Sequence, residues 1–254
     1  MDTHTEEAKD TKDVQDNLKD VRNRIQLACE ASGRKAKEIR LLLATKTVPD
    51  TKISAAIQAG ETLLGENKVQ ELQHKYPRLR QHSHIEWHFI GHLQTNKVKE
   101  VLKYATMIHS VDRLKLGQAL HNQLTKENNK MDILVQVNTS YEESKFGVSP
   151  EDTLALIESL SIFETLNIKG LMTIGKLNAK QEETRNCFRL LKKVQKQVIE
   201  RGLPGVTMNI LSMGMSGDFE VAIEEGATMI RVGSSIFGER MYPDHYYWNE
   251  HSAR

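Results

Sequence analysis

Eight short apolar runs, separated by segments with helical spacing, constrain this chain more than any other feature. The runs fall at 39–45, 62–65, 85–90, 107–111, 133–137, 168–174, 206–211 and 229–233. Between them, helical patterns occupy 54–60, 68–81, 97–104, 114–128, 150–160, 181–201 and 219–225. Gly60 and Gly226 stop two of these segments, and Pro150 stands at the first turn of another. Such alternation makes a parallel sheet covered by helices. Eight units in 254 residues, about 30 residues each, is the arithmetic of a TIM (β/α)8 barrel. An open doubly wound sheet is the competing solution of the same pattern. One more helix precedes the first unit, where Val14, Leu18, Val21, Ile25, Leu27 and Ala28 have helical spacing that ends near Ser32-Gly33. Residues 1–10 read as a loose, disordered polar tail, and residues 11–254 as a single domain.

Charge and composition exclude several classes of function. Lys and Arg total 35 against 34 Asp and Glu, and a net charge of +1 leaves no electrostatic footprint for nucleic acid or anionic lipid. No apolar run approaches the ~20 residues of a membrane span. The first twenty residues are acidic and lack an apolar core, so neither a secretory signal nor a transit peptide is expected. The expected location is cytoplasmic, with a mitochondrial fraction left open. Cys29 and Cys187 lack metal-type spacing and read as reduced thiols.

In a TIM barrel the chemistry sits at the C-terminal ends of the strands. Lys46 ends the first apolar run, in LLLATKTVP. Desolvation at a barrel mouth lowers a lysine pKa and makes the amine a nucleophile, the requirement for a Schiff base with a carbonyl. The bland alternative is a solvated strand-end lysine. SMGMSGD at 212–218 and RVGSSIFG at 231–238 are small-residue turns after strands 7 and 8, each entering a short helix. Backbone N–H groups in such turns bind anions, and these two loops commonly hold a phosphate in the fold. Read without the lysine, they are two ordinary tight turns. Together, the lysine and the turns describe a phosphorylated aldehyde held as an imine. Arg231, inside the last apolar run, needs an anion, an acceptor or a structural carboxylate as partner. The histidines of HSHIEWHFIGH at 82–92 lack a convincing metal-ligand partner, and barrel packing explains them better. The aromatic-rich tail YPDHYYWNEH at 242–251 is left open as a barrel cap or a docking segment.

Seven blocks in order carry a resemblance: LLLATKTVP, GENKVQE, WHFIGHLQTNK, ESKFGV, GLMTIG, LSMGMSGDFEVAI and IRVGSSIFGER. Spread over 39–240, they resemble the pyridoxal phosphate homeostasis protein family, also known as proline synthetase co-transcribed homologues. The resemblance implies a barrel of the alanine-racemase N-terminal type that binds pyridoxal 5′-phosphate. By the same resemblance, Lys46 is the Schiff-base lysine and Arg231 faces the pyridine nitrogen. Gly233 and Ser234 hold the phosphate, as does a serine of SMGMS, either Ser212 or Ser216. Asn67, in GEN, lies near the cofactor, and Lys145, in ESKFG, is a second lysine near the site. One departure is Thr45, where many members carry serine two residues before the threonine of the strand-1 block; no consequence is expected.

A second departure is from the racemases, which append a β-domain that supplies an opposite-face tyrosine base. Only 14 residues follow Arg240 here, too few for such a domain. Arginine stays protonated and donates to the pyridine nitrogen, which leaves the ring a poor electron sink. The expectation is a monomer that buffers pyridoxal phosphate or delivers it to apo-enzymes without amino-acid turnover. An amino-acid racemase, or a class I aldolase-like lyase using Lys46 on substrate, is the alternative.

Overall fold

The strand–helix alternation closes on itself. The computed structural model describes residues 3–238 apart from 80, 81, 83, 177 and 178, with side chains from residue 8 onward. The strands are β1 (Arg40–Ala44), β2 (Leu63–Glu66), β3 (Glu86–Phe89), β4 (Met107–Val111), β5 (Met131–Gln136), β6 (Leu166–Met172), β7 (Val206–Ser212) and β8 (Met229–Val232). All pair in parallel with their sequence neighbours, and β1 pairs with β8 through Leu41↔Ile230, Leu42↔Arg231 and Leu43↔Val232. This closed barrel excludes the open doubly wound sheet. The helices are α1 (Thr3–Ala31), α2 (Asp50–Gln58), α3 (Val69–Leu79), α4 (Val98–Val101), α5 (Leu114–Lys126), α6 (Thr153–Ser161), α7 (Gln181–Arg201), α8 (Phe219–Glu224) and α9 (Ser234–Phe237). Among the described residues no helix is long and apolar enough to cross a membrane.

Two expectations need correction. The expected loose tail is helical from Thr3, because 3–10 contains no Gly or Pro and is rich in good helix formers. Asp10 docks it onto α2 through Lys52, at 3.2 Å. Pro150 does not open its helix. The Ser149 and Asp152 side chains bond each other at 2.7 Å, and Thr153 Oγ1 donates to Ser149 O, so a turn precedes α6. The aromatic-rich tail at 242–251 lies outside the described residues.

The helix that follows β8 has a single turn, so α1 covers the seam between β8 and β1. Its buried face of Val14, Leu18, Val21, Ile25, Ala28 and Cys29 joins the main hydrophobic core. Polar ties fix its position: Asn17 Nδ2 donates to Ile236 O at 3.0 Å, and Arg34 Nη1 donates to Ile223 O at 2.7 Å. Arg24 pairs with Glu220 and lies over the Phe219 ring, 4.6 Å from its centroid.

Register irregularities shape the β5–β7 side of the barrel. Ile168 faces Val206 but Gly170 faces Ile210, so β7 carries extra residues, and Met208 takes a positive φ of 50°. A Cβ on Gly170 would stand 1.8 Å from Ile210 O, so only glycine fits there.

One polar cluster centres on a buried ion pair, Lys75 with Glu66, and includes the half-buried Glu71. Lys75 on α3 donates from Nζ to Glu66 Oε1 at 2.7 Å, to Glu71 Oε2 at 2.9 Å and to Thr45 O at 2.6 Å. Thr45 Oγ1 also donates to Glu66 Oε1, at 2.6 Å. Burial pushes the Glu66 carboxyl up to about 7 against the opposing pull of Lys75, and nearby Glu71 adds to the rise. A carboxyl raised on folding contributes stability below its unfolded pKa and loses it as pH rises through the folded value. Glu66→Gln removes that loss. Its stability relative to the parent chain should therefore improve by about 1–3 kcal/mol between pH 5 and pH 8. Urea unfolding at both pH values checks this, and a difference that does not change with pH would contradict it.

Candidate functional site

A cavity of about 530 Å³ opens at the C-terminal ends of the strands. Its walls come from nearly every strand end: Lys46 after β1, Asn67 after β2, Gly91 and His92 after β3, and Gln136 on β5. Ile174 and Gly175 follow β6, Ser216 and Asp218 follow β7, Arg231 lies on β8, and Gly233 and Ser234 follow it. The barrel thus brings together six of the eight residues singled out from sequence: Lys46, Asn67, Ser216, Arg231, Gly233 and Ser234. Ala44, Ile90, Phe146 and Ile174 add apolar walls suited to a flat ring.

Ser212 and Lys145 are placed differently from the other six. Ser212 ends β7, is fully buried and stands below the cavity wall. Its hydroxyl is occupied by Arg231 Nη1 at 2.8 Å and His109 Nδ1 at 3.2 Å, so of the two serines only Ser216 belongs to the cavity. Lys145 donates to Gly175 O at 2.7 Å and pairs with Glu142, so it supports the wall through Gly175 and does not line it.

The strand-8 turn gathers donors around one oxygen. The backbone N–H groups of Gly233 and Ser235 both donate to Ser216 Oγ at 3.2 Å, and Ser235 Oγ donates to Ser216 O at 3.3 Å. With two N–H groups donating to its oxygen, the Ser216 hydroxyl keeps its own proton to donate, and Ser216, Gly233 and Ser234 all line the cavity where an anion would sit. Gly214 makes the preceding turn possible with a φ of 91°, where a Cβ would also meet Ala222 Cβ at 2.6 Å.

Arg231 is 5% exposed. Its Nη1 donates to Ser212 O at 2.7 Å as well as to Ser212 Oγ, and its Nη2 donates to Thr173 O at 2.8 Å. No described residue accepts from its Nε. Burial lowers its pKa to about 10, partly offset by Asp218, and it stays protonated at neutral pH. Burial in turn raises the Asp218 carboxyl, although Asp218 Oδ1 accepts the Met215 N–H at 2.6 Å.

Beneath Arg231 a hydrogen-bonded file crosses the barrel interior. His109 Nε2 lies 2.9 Å from His88 Nδ1, and His88 Nε2 lies 3.7 Å from Glu86 Oε2 at the opposite end. Burial lowers the pKa of both imidazoles, so both are neutral at neutral pH. Glu86 is held at about 2 by His88 and by Arg40, whose Nη2 donates to Glu86 Oε2 at 2.7 Å. Ser212 Oγ, His109 and His88 are thus joined by two hydrogen bonds, in which each neutral imidazole has one donor and one acceptor to offer. The file links Arg231, through Ser212 and His109, to His88, and both nitrogens of His109 are used.

Sequence reasoning missed Asp218 and Phe146, both of which line the cavity. Each stands inside a block already singled out, SGDF and ESKF, but nothing in linear order says which side chain turns inward. Phe146 stacks on His92, with ring centroids 3.7 Å apart.

Two features test the fit of a phosphorylated pyridine aldehyde. Asn67 Oδ1 is a buried acceptor without a hydrogen-bond partner on the cavity wall, and Arg231 has a donor to spare. The ring of pyridoxal 5′-phosphate carries one hydroxyl donor and one nitrogen acceptor, and its phosphate suits the Ser216–Gly233–Ser235 turn. The donor set therefore fits that group.

Known proteins place the chain in a family. Residues 10–241 match the alanine racemase N-terminal domain. A pyridoxal phosphate homeostasis protein of Aquifex aeolicus is 44% identical over 225 residues, 89% of this chain and 97% of the relative. The protein of that name in Escherichia coli is 37% identical over 234 residues, 91% of this chain and 98% of the relative. PipY of Synechococcus elongatus, solved with PLP bound, superposes with a TM-score of 0.78 at 29% identity, covering 89% of this chain and all of PipY. An alanine racemase of Clostridium difficile shares the fold alone, with a TM-score of 0.69 at 15% identity, and 92% of this chain covers 58% of it. The chain belongs to the alanine racemase N-terminal domain family and, within it, to the pyridoxal phosphate homeostasis proteins.

Proposed function

We propose that this chain holds pyridoxal 5′-phosphate at the barrel mouth and buffers or delivers it without turning over amino acids. One observation carries this reading. A strand-end lysine, a buried protonated arginine and a turn with two converging N–H groups share one cavity of about 530 Å³. The relatives' shared name and the PLP-bound PipY support it.

When bound, the group supplies an aldehyde that condenses with an amine, a ring nitrogen and a phosphate dianion. Lys46 is the amine that links it. Ser216, Gly233 and Ser234, with Ser235, hold the phosphate. Arg231 donates from Nε toward the ring nitrogen, and Asn67 Oδ1 takes the ring hydroxyl. Lys145 acts at a distance, by holding the Gly175 carbonyl in the wall.

The chemistry of Arg231 favours storage. It donates and does not accept, so it leaves the ring nitrogen without a proton and the ring a poor sink for electrons. Racemisation needs a second base on the opposite face, and the described cavity wall contains no tyrosine. Recipients of the cofactor are apo-enzymes that require it, met by a cytoplasmic monomer.

Borohydride reduction of the loaded protein, followed by peptide mapping, should place the pyridoxyl group on Lys46. Its appearance chiefly on Lys145 would overturn the assignment. Ser216→Ala should weaken cofactor retention by about ten- to a hundredfold, the worth of one hydrogen bond to a charged group. Arg231→Gln should instead shift the visible absorption, and equilibrium dialysis with spectroscopy separates the two effects. Incubation with L-alanine should give no D-isomer above a free-cofactor control, while an added apo-enzyme gains activity. Lys46-dependent racemisation would replace the carrier reading with an enzyme.

A further inference from the structure

Lys46 occupies the second position of a β-turn, closed by the Val48 N–H donating to Thr45 O at 3.0 Å. The third position is Thr47, a β-branched residue with a φ of 57°. Left-handed backbone is strained for such a residue and persists only where the surroundings impose it. Here the imposing contacts come from α3. Glu71 Oε2 accepts the Thr47 N–H at 2.7 Å, and Lys75 Nζ donates to Thr45 O at 2.6 Å. The residues on both sides of Lys46 are therefore gripped by adjacent side chains of one helix, spaced by a helical turn. Lys75 in turn bridges Glu71 and Glu66, and Thr45 Oγ1 bonds Glu66 as well. Neither Lys75, Glu71 nor Glu66 lines the cavity.

We propose that Lys75, Glu71 and Glu66 form a clamp that fixes the reach of Lys46, acting as positioning residues for its covalent link to the cofactor aldehyde. This rests on the reading of Lys46 as the linking lysine. The link forms a C=N bond between Lys46 Nζ and the aldehyde carbon, and the carbonyl oxygen leaves as water. Its equilibrium depends on how closely the amine is held to that carbon. The phosphate turn lies on β7 and β8, and the clamp touches none of its residues. Within the clamp only Glu66 adjoins a ring contact, Asn67, so a change at Glu71 affects the covalent link and leaves the phosphate and ring contacts alone.

Two ligands separate these effects. Pyridoxine 5′-phosphate keeps the ring and phosphate but lacks the aldehyde, so it reports non-covalent binding only. In Glu71→Ala its dissociation constant should stay within twofold of the parent value. Affinity for pyridoxal 5′-phosphate, and the yield of borohydride-trapped Lys46, should fall by about three- to tenfold, the worth of one or two lost hydrogen bonds. Glu71→Gln, which retains an acceptor for the Thr47 N–H, should recover most of the trapped yield. The double variant Lys75→Met/Glu66→Gln removes both internal charges without leaving either unpaired, and should reproduce the Glu71→Ala pattern. Equal losses for the two ligands would make the cluster general scaffolding and overturn the clamp. So would unchanged trapping in both Glu71→Ala and the double variant. Absence of pyridoxyl-Lys46 from the parent protein would instead refute the reading of Lys46 itself, an outcome distinct from either.

Discussion

A buried guanidinium solvated by neutral groups organises this barrel. Arg231 points into the interior from β8, and the strand carbonyl of Ser212, the Ser212 hydroxyl and the carbonyl of Thr173 take its donors. An isolated buried charge is costly unless hydrogen bonds replace its water. The ends of β6 and β7 supply those bonds, so the charge ties both strands to β8 at the site. Beneath it, the Ser212 hydroxyl bonds His109, His109 bonds His88, and His88 lies 3.7 Å from Glu86. Because both imidazoles stay neutral, the file satisfies polar groups without adding a second charge near Arg231. An apolar substitute at His109 would leave Ser212 and His88 each short of a partner.

The N-terminal helix solves a separate problem. A barrel needs every strand covered on its outer side, and the single turn of α9 does not cover the β8–β1 seam. α1 does so, with one apolar stripe and polar ties from Asn17 and Arg24. That seam carries both Arg231 and the strand leading to Lys46, paired in register as Leu42↔Arg231. Packing at the start of the chain therefore fixes the distance between two parts of the site that lie far apart in sequence.

Much of this was legible in the linear order of residues. Eight apolar runs of strand length, each too short for a buried helix, require alternation, and their number points to closure. Lys46, Asn67, Ser216, Arg231, Gly233 and Ser234 follow or end those runs, so placing the strands places the residues at the mouth. The tail was misread because a polar stretch such as TEEAKD is equally compatible with coil and with helix until tertiary docking decides. The choice between Ser212 and Ser216 was closed to sequence for a different reason. Both are serines of one short motif, and only the inward turn of Arg231 determines that Ser212 is consumed as its acceptor. The Lys75 cluster is invisible in sequence because a lysine on an amphipathic helix ordinarily faces water.

The two internal ion systems flank the cavity and differ in what they constrain. Arg231 is held by backbone carbonyls, which are part of the sheet and move only with it. Lys75 is held by side chains, and it restrains a turn whose Thr47 backbone is strained. The Arg231 side of the cavity thus belongs to the rigid sheet, whereas the Lys46 side depends on a deformable contact. Under the proposed function, a protein that captures an aldehyde and later releases it needs its phosphate and ring contacts to stay in place while the lysine link forms and breaks. The proposed roles put the linking lysine on a restrained turn and the other contacts on the barrel itself, which separates those two requirements.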